Sequence, residues 1–220
     1  MSINTKSLRE QVYEYLKEKI NAGEIRKGDL LDLEALSSEL GISKTPLRDA
    51  LLKLESDGFV EIMPRKGVKV KALDLKDIKN LYQIIGALEC AIISETANKL
   101  TTKEINKMIK LNEKMEKALD GKNFDKYYEL NLKFHNTYLL LSDNWEALRI
   151  ISISKQRLYD FPRRKEYLPE WEYNSIKEHA ELVELLKKKD YQAAGLFIKD
   201  VHWSFEVQKR FILRYYPDAK

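Results

Sequence analysis

Several polar side chains gather where one helix of the chain is predicted to begin. Ser43, Lys44 and Thr45 stand directly before Pro46. A hydroxyl residue before a proline is typical of a helix start, because the hydroxyl caps backbone N–H groups and proline has no N–H to leave unbonded, so the helix should open near Thr45. N–H groups at a helix start attract phosphate, and the guanidinium of Arg48 is shaped to pair with guanine or phosphate. Taken alone, these residue types fit either contact with DNA or a helix face in which Lys44 and Arg48 are merely solvated.

The elements around this helix must leave its N-terminus exposed to solvent. Apolar residues recur in it at helical spacing, which predicts one buried face. They are Leu47, Ala50, Leu51 and Leu54. Two helices are predicted before it, over about 7–22 and 32–40, and alternating apolar residues after Gly58 predict two short strands. Three helices followed by a hairpin form a winged helix-turn-helix.

The turn of the predicted hairpin carries two cations and a glycine. Arg65 and Lys66 lie at its tip and Gly67 follows them. Because glycine lets the backbone approach a ligand closely, we expect Arg65 and Lys66 to enter or flank the minor groove of DNA.

The rest of the chain shows long helical periodicities joined by short polar breaks. Helices are predicted near 74–99, 102–120, 123–142, 144–161, 171–189 and 190–215. The sequence thus predicts a mostly α-helical protein with two domains. Residues 1–72 form the winged helix-turn-helix, and residues 73–220 form an all-helical bundle of about six helices.

Composition excludes several classes of protein. The 220 residues are 44% apolar and 34% charged, with 8 Gly and 5 Pro, which argues against collagenous or low-complexity chains. We find no apolar run of about 20 residues and no signal-peptide layout, so we expect a cytoplasmic protein. The single cysteine, Cys90, cannot form an intrachain disulfide. The net charge of +4 lies outside residues 1–70, which contain twelve basic and twelve acidic residues, so bulk charge does not indicate DNA binding.

Long stretches of the chain resemble one protein family. The segment LREQVYEYLKEKINAGEIRKGDLLDLEALSSELGISKTPLRDALLKLESDGFVEIMPRKGVKV resembles the DNA-binding domain of GntR-family bacterial transcription regulators. Three later segments resemble the FCD effector-binding domain of the FadR-like subfamily: ELNLKFHNTYLLLSDN, SIKEHAELVELLKKKDYQAAG and KDVHWSF. The resemblance implies a regulator that binds palindromic operator DNA as a homodimer and responds to a small organic acid.

The resemblance also implies which residues touch DNA. In the family, operator DNA is contacted at the positions of Ser43, Lys44, Thr45 and Arg48. Glu34 occupies a position that is often basic in the family, and Leu52 stands where an Arg is common. Both departures predict fewer phosphate contacts.

Three histidines lie on three different predicted helices of the second domain. They are His135, His179 and His202. A lone helical histidine is more often a partly buried polar residue than a ligand, but these three coincide with the histidines of the FCD metal-binding pattern. The acidic residue of that pattern, four positions before the first histidine, is Asn131 here, whose amide oxygen can still coordinate. The resemblance implies a divalent metal (Zn, Ni, Mn or Fe) at these residues, bound more weakly because a negative charge is missing. Glu178 and Asp200 are candidate hydrogen-bond partners of the ligands, although their position beside the histidines in sequence turns them off the ligand faces.

The effector site departs from the family in one place. Near Ile85 the family commonly has an Arg that can pair with a ligand carboxylate. The apolar side chain argues against a simple dicarboxylate and favours an aromatic or larger acid, with Arg149 and Arg157 as candidate effector-binding cations. Further candidates in this half are Tyr138, Trp145, Tyr159, Phe161, Arg163, Arg164, Trp171 and Trp203, and most of the aromatic ones are expected to be ordinary packing residues.

Two rival functions are open at this point. Three histidines with an open position for water would suit a metal-dependent enzyme. We find no nucleophile elbow, phosphate-binding loop or general base beside the histidines, and the winged helix would have no role in such an enzyme. The second rival is an architectural DNA-binding protein without a ligand, but burying three histidines without partners is costly.

Overall fold

The computed structural model describes residues 6–158, 168–217 and 219. The described chain divides into two compact units. The first contains the residues up to Leu73 together with 156–158, and the second contains Asp74–Lys155 and the residues from 168 onward. No helix in the described ranges combines the length and the apolar character needed to cross a membrane.

The first unit is a winged helix-turn-helix. Its elements are α1 (Leu8–Asn21), β1 (Leu30–Leu31), α2 (Leu33–Leu40), α3 (Lys44–Ser56), β2 (Val60–Met63) and β3 (Gly67–Val70). Ser7 and Glu10 form a reciprocal capping box at the start of α1, and Asp32 caps α2 through the backbone N–H groups of its first turn. Gly41 ends α2 with a φ of 62°, a left-handed conformation that glycine adopts without strain.

Packing of α1 against α3 builds the core of this unit. Leu16, Leu47 and Leu54 are fully buried between the elements, and the predicted apolar face of α3 is the buried one. The wing is a three-stranded antiparallel sheet in the order β1-β3-β2. The sequence predicts only β2 and β3, because the two residues of β1 are too few to show an alternating pattern.

The second unit is a helical bundle. Its elements are α4 (Leu75–Glu95), α5 (Thr102–Asp120), α6 (Phe124–Leu139), α7 (Trp145–Leu158, of which 156–158 belong to the first unit), α8 (Pro169–Lys187), α9 (Tyr191–Phe197), a π-helical turn (Ile198–His202) and α10 (Phe205–Tyr215). Helix α5 packs against α6 and α8, and α4 packs against α9 and the π-helical turn. The predicted mostly helical fold class is confirmed.

One predicted helix differs from the structure. The segment predicted as a single helix over 190–215 is α9, the π-helical turn and α10, with Ser204 capping the start of α10. A π-helical turn adds a residue to the helical repeat without interrupting it, so periodicity in the sequence does not show it. This turn ends at His202, one of the three candidate ligands.

Candidate functional site

Helix α3 begins two residues before the predicted start. Ser43 is its N-cap rather than Thr45, and Pro46 is its third residue. Proline fits there because none of the first four N–H groups of a helix has an intrahelical partner. The side chain of Ser43 forms no capping hydrogen bond. The end of the helix therefore presents backbone donors that no side-chain cap from Ser43 covers.

The predicted DNA-contacting residues lie on the solvent side of α3. Those exposed at or near its start are Ser43, Lys44, Thr45 and Arg48. The Nζ of Lys44 lies 2.5 Å from Oε1 of Glu34 on α2, and both side chains are largely exposed. Since a surface ion pair contributes about 0–1 kcal/mol, a DNA phosphate can displace Glu34 from Lys44. Leu52, which stands where the family often has an Arg, is also exposed.

The wing tip carries its two cations on a tight turn. Arg65 has a φ of 62° and Gly67 a φ of 105°, and the N–H of Lys66 donates to the carbonyl of Met63 at 3.1 Å. Arg65, Lys66 and Gly67 are all exposed. The left-handed backbone at Arg65 closes the turn between β2 and β3 and leaves both basic side chains in solvent.

The three histidines meet inside the second unit. Each offers a ring nitrogen, and these atoms lie within 4.8 Å of one another. His135 comes from α6, His179 from α8 and His202 from the end of the π-helical turn, and all three are buried. The tertiary fold thus joins three residues that are separated by more than twenty positions in sequence.

A carboxylate on α4 fixes the orientation of His135. The Nδ1 of His135 lies 3.1 Å from Oε2 of Glu89 and 2.8 Å from the hydroxyl of Tyr138, and that hydroxyl also donates to Glu89. Because an ionised carboxylate only accepts, Nδ1 must carry the proton, and the lone pair of His135 is then on Nε2. Nε2 is buried and has no hydrogen-bond partner among the described residues.

A second carboxylate orients His202 in the same way. The Nδ1 of His202 lies 2.7 Å from Oε2 of Glu178. The other oxygen of Glu178 accepts from Asn174 and from Gln208, whose own carbonyl oxygen accepts from Trp171. Although Glu178 is next to His179 in sequence, it serves His202 across the helix interface. Asp200, the other predicted partner, pairs instead with Lys199 on the exposed surface.

Burial keeps two of the imidazoles neutral. It lowers the pKa of His135 to about 3, helped by the nearby charge of Lys155 and opposed by Glu89. Burial also lowers the pKa of His179 well below its usual value, and the other two histidines and Lys155 add to this effect. Neutral imidazole is the form that binds a metal ion.

The donor set fits a divalent metal ion. Both ring nitrogens of His179 are buried without hydrogen-bond partners in the described structure, as is Nε2 of His135. Unsatisfied buried polar atoms are costly, and an ion between the three rings would satisfy Nε2 of His135 and one of the two nitrogens of His179. The carboxylates that hold His135 and His202 by their far nitrogens are the partners commonly found behind metal-bound histidines.

Asn131 belongs to a polar network beside the histidines. It is buried one turn before His135 on α6, and its Nδ2 lies 3.5 Å from the hydroxyl of Tyr127. That hydroxyl also bonds to Glu172 and Ser175 of α8. Burial raises the pKa of Glu172 to about 7, although the bond to Tyr127 opposes this shift. Coordination by Asn131 stays a prediction.

The two candidate effector arginines have other contacts in the structure. Arg149 pairs with Glu146 on the exposed side of α7. Arg157 belongs to the first unit, where its guanidinium packs so closely on Gly58 that a Cβ there would lie 2.7 Å from Cζ. Their predicted contact with an effector stays a prediction. The other candidates Tyr159, Phe161, Arg163 and Arg164 lie outside the described residues.

The cation that the structure places by the histidines is Lys155, which sequence reasoning missed. Its Nζ lies 2.6 Å from Oε1 of Glu89 and 5.2 Å from the centre of the Trp203 ring. Glu89 and Lys155 are both buried. A signal was present, because Glu89 lies at helical spacing between Ile85 and Ile92, so a charged residue interrupts an apolar stripe.

Two family models match the chain. "Bacterial regulatory proteins, gntR family" matches residues 8–70, and "FCD domain" matches residues 80–201. A regulator from Bacillus subtilis, "Uncharacterized HTH-type transcriptional regulator YdhC", is 28% identical over 84% of this chain and 83% of its own length. "HTH-type transcriptional repressor RspR" of Escherichia coli is 24% identical over 86% of this chain and 83% of its own.

A solved structure has the same fold. "E. coli McbR/YncC" superposes with a TM-score of 0.72 over 98% of this chain and 100% of its own, at 22% identity. The matched domains and curated relatives are those of transcriptional regulators and not of enzymes, which removes the metal-dependent enzyme as a rival. The chain belongs to the GntR family of bacterial regulatory proteins, in the FadR-like subfamily that joins a winged helix-turn-helix to an FCD domain.

Proposed function

We propose that this protein is a ligand-responsive regulator that binds palindromic operator DNA as a homodimer and takes a divalent metal and a small organic acid into its FCD domain. The observation that carries the proposal is the meeting of three buried ring nitrogens within 4.8 Å in a chain whose α3 helix begins in solvent. One polypeptide would thus contain both a DNA-binding domain and a ligand-binding domain.

DNA recognition would start at the amino end of α3. Its backbone N–H groups and the side chains of Ser43 and Thr45 suit phosphate, while Arg48 suits guanine or phosphate in the major groove. Arg65 and Lys66 of the wing would reach the neighbouring groove. A single helix-turn-helix reads only a few base pairs, so two copies on inverted half-sites supply the missing specificity.

Three imidazoles and one amide would hold the metal. His135, His179 and His202 are the ligands, and Asn131 is the candidate oxygen donor. A bound divalent ion supplies positive charge that attracts a carboxylate. Glu89 and Glu178 hold Nδ1 of His135 and His202, so Nε2 of each ring would be the atom that binds the ion, and burial keeps His135 and His179 unprotonated near neutral pH.

Regulation would follow from unequal binding. An effector that binds one arrangement of the dimer better than another shifts the population toward that arrangement, and operator affinity shifts with it. A coupling of about 1–3 kcal/mol changes operator occupancy about five- to a hundredfold.

Selection of DNA from a random library with the full-length protein tests the DNA half of the proposal. We expect an inverted repeat, a two-to-one protein-to-duplex ratio, and loss of capture in Arg48→Ala. The matched control is Arg214→Ala, which removes an exposed arginine of the second unit. An enriched sequence without two-fold symmetry, or capture that survives Arg48→Ala, contradicts the proposal.

Calorimetric titration of the chelator-treated protein with Zn²⁺ and Ni²⁺ tests the metal half. Binding should depend on all three histidines. Affinity no tighter than about 1 mM, equivalent to about 4 kcal/mol, would remove the metal from the proposal.

A further inference from the structure

One face of helix α5 consists of lysines alone. They follow one another at alternating steps of four and three residues, and they are Lys103, Lys107, Lys110, Lys114 and Lys117. A helix turns by about 100° per residue, so these steps place all five within a sector of about 80°, and no other residue of α5 falls in that sector. At about 1.5 Å per residue, the row is about 21 Å long. We call these five residues the lysine stripe.

The lysine stripe faces solvent. The opposite, apolar side of α5 is buried, with Met108 and Met115 fully covered, and α5 packs against α6 and α8. All five lysines are exposed. The described part of the chain gives none of them an ion-pair partner. Their ammonium groups are therefore available to a partner from outside the protein.

The acidic residues of α5 do not cancel this charge. Glu104 accepts from Thr101 in the capping box at the start of the helix, and Asp120 accepts from the hydroxyl of Tyr173 at 2.6 Å. Glu113 and Glu116 lie about 80° and about 140° from the middle of the lysine stripe. Positive charge on this face is consequently not balanced by a direct contact.

The chemistry of the lysine stripe fits DNA. A surface without apolar side chains lacks the apolar centre of a protein–protein interface, and it cannot insert into a lipid surface as an amphipathic helix does. Protein–DNA interfaces, in contrast, are polar and strongly positive. One strand of a duplex carries a phosphate about every 3.4 Å along the axis, so a row of about 21 Å spans about six phosphates.

The distribution of charge along the chain supports this partner. The first 70 residues contain twelve basic and twelve acidic residues, and the whole excess of +4 belongs to the rest of the chain. Phosphate contacts by lysine and arginine supply essentially all of the sequence-independent affinity for DNA. In a protein whose DNA-binding unit has no net charge, the second unit is where additional affinity of this kind can arise.

We propose that the lysine stripe is a second, sequence-independent DNA-binding surface, which holds the phosphate backbone of duplex DNA outside the operator half-sites. Its lysines contact phosphates, and such contacts carry no base information. They raise the affinity for any duplex and keep the protein on DNA while α3 encounters different sequences. This inference goes beyond the proposed function, because it requires neither the metal, the effector nor a palindromic operator.

The test measures binding of the full-length protein to a duplex without an operator, by fluorescence anisotropy at different salt concentrations. The variant Lys107→Gln with Lys110→Gln and Lys114→Gln neutralises the middle of the lysine stripe, and glutamine is about as good a helix former as lysine. Each lost phosphate contact lowers the slope of log affinity against log salt by about 0.9, so we expect a loss of about 2.7. The advantage of the wild type over the variant should then shrink about fortyfold between about 50 and about 200 mM salt.

Two further variants separate the lysine stripe from charge in general. The variant Lys76→Gln with Lys177→Gln and Lys188→Gln removes three exposed lysines from other parts of the second unit, and its slope should change less. Arginine at the three positions of the stripe keeps the charge, and it should keep the slope of the wild type. If the glutamine variant loses helical circular dichroism, Lys107→Gln and Lys114→Gln are measured singly, each with an expected loss of about 0.9.

Three results overturn the inference. They are equal slopes for the wild type and the stripe variant, an equal loss in the control variant, and stripe-dependent binding to phosphatidylserine vesicles without binding to the duplex. Operator capture is compared at about 200 mM salt, where sequence-independent contacts contribute least. An operator without two-fold symmetry, or capture that survives Arg48→Ala there, counts against the proposed function alone.

Discussion

Replacement of His179 by leucine should stabilise the metal-free protein and destroy its response to metal. His179 is fully buried on α8, and neither ring nitrogen has a hydrogen-bond partner in the described structure. A buried polar group left unbonded costs about 1–3 kcal/mol, and leucine has a similar volume and no polar atoms. The unfolded state, in which water solvates the imidazole, does not share this cost.

The expected size follows from two opposing terms. Removal of two unbonded nitrogens should contribute about 2–4 kcal/mol to the free energy of unfolding. The ring of His179 stacks on Phe134 with centroids 4.1 Å apart, and loss of such a pair costs about 0.5–1.5 kcal/mol. The net expectation for His179→Leu is a stabilisation of about 0.5–3.5 kcal/mol without metal.

Metal should reverse the order of the two proteins. An ion at a thousand times its dissociation constant stabilises the wild type by about 4.1 kcal/mol and should leave His179→Leu unchanged. Urea unfolding of chelator-treated protein, with and without Zn²⁺, measures both effects, and Lys177→Ala on the exposed side of α8 is the control. If the metal-free variant is less stable than the wild type, or if Zn²⁺ stabilises both equally, our account of the histidines is wrong.

Three further outcomes are expected. Glu34→Gln should tighten operator binding up to about fivefold at low salt, because it frees Lys44 for phosphate, and the gain should shrink as salt rises in a fluorescence-anisotropy titration; an unchanged affinity would show that the pair does not compete with DNA. Glu172→Gln should raise the free energy of unfolding by about 1–3 kcal/mol at pH 8 and leave it unchanged at pH 4. The sign follows because the pKa of Glu172 rises from 4.5 to about 7 on folding, so the native state holds a proton that the unfolded state releases in this range, and stability falls as pH rises; equal urea midpoints at pH 8 would contradict it. Gly86→Ala places a Cβ 3.0 Å from the Cβ of Trp203, which should push the π-helical turn away from α4 and weaken Zn²⁺ binding without loss of helical circular dichroism; unaltered Zn²⁺ affinity would mean that the turn does not position His202.

The winged helix-turn-helix could be predicted from the sequence because its signals are local. The apolar spacing of α3, the cap of α2 by Asp32 and the turn at Gly41 each lie within a few residues. Capping and periodicity act over one or two helical turns, so they can be read along the chain. The error at the start of α3, where Ser43 and not Thr45 is the cap, falls within the usual uncertainty of a helix end.

The partners of the histidines could not be predicted in this way. Glu178 was expected to point away from the ligands because it adjoins His179, and it does so on its own helix, yet the packing of α8 beside the π-helical turn brings it to His202. Lys155 and Glu89 are 66 positions apart in the printed sequence, and nothing in the spacing of either pairs them.

The sequence by itself therefore determined the residue types, the helices that carry them and the cations at the start of α3 and the wing tip. The tertiary structure decided which carboxylate holds which imidazole and which cation lies beside them. The physical reason is the sequence separation over which each interaction acts. Hydrogen bonds of caps and turns join near neighbours in the chain, whereas burial brings distant residues together. A buried polar side chain then either finds a hydrogen-bond partner or remains unsatisfied at a cost in free energy.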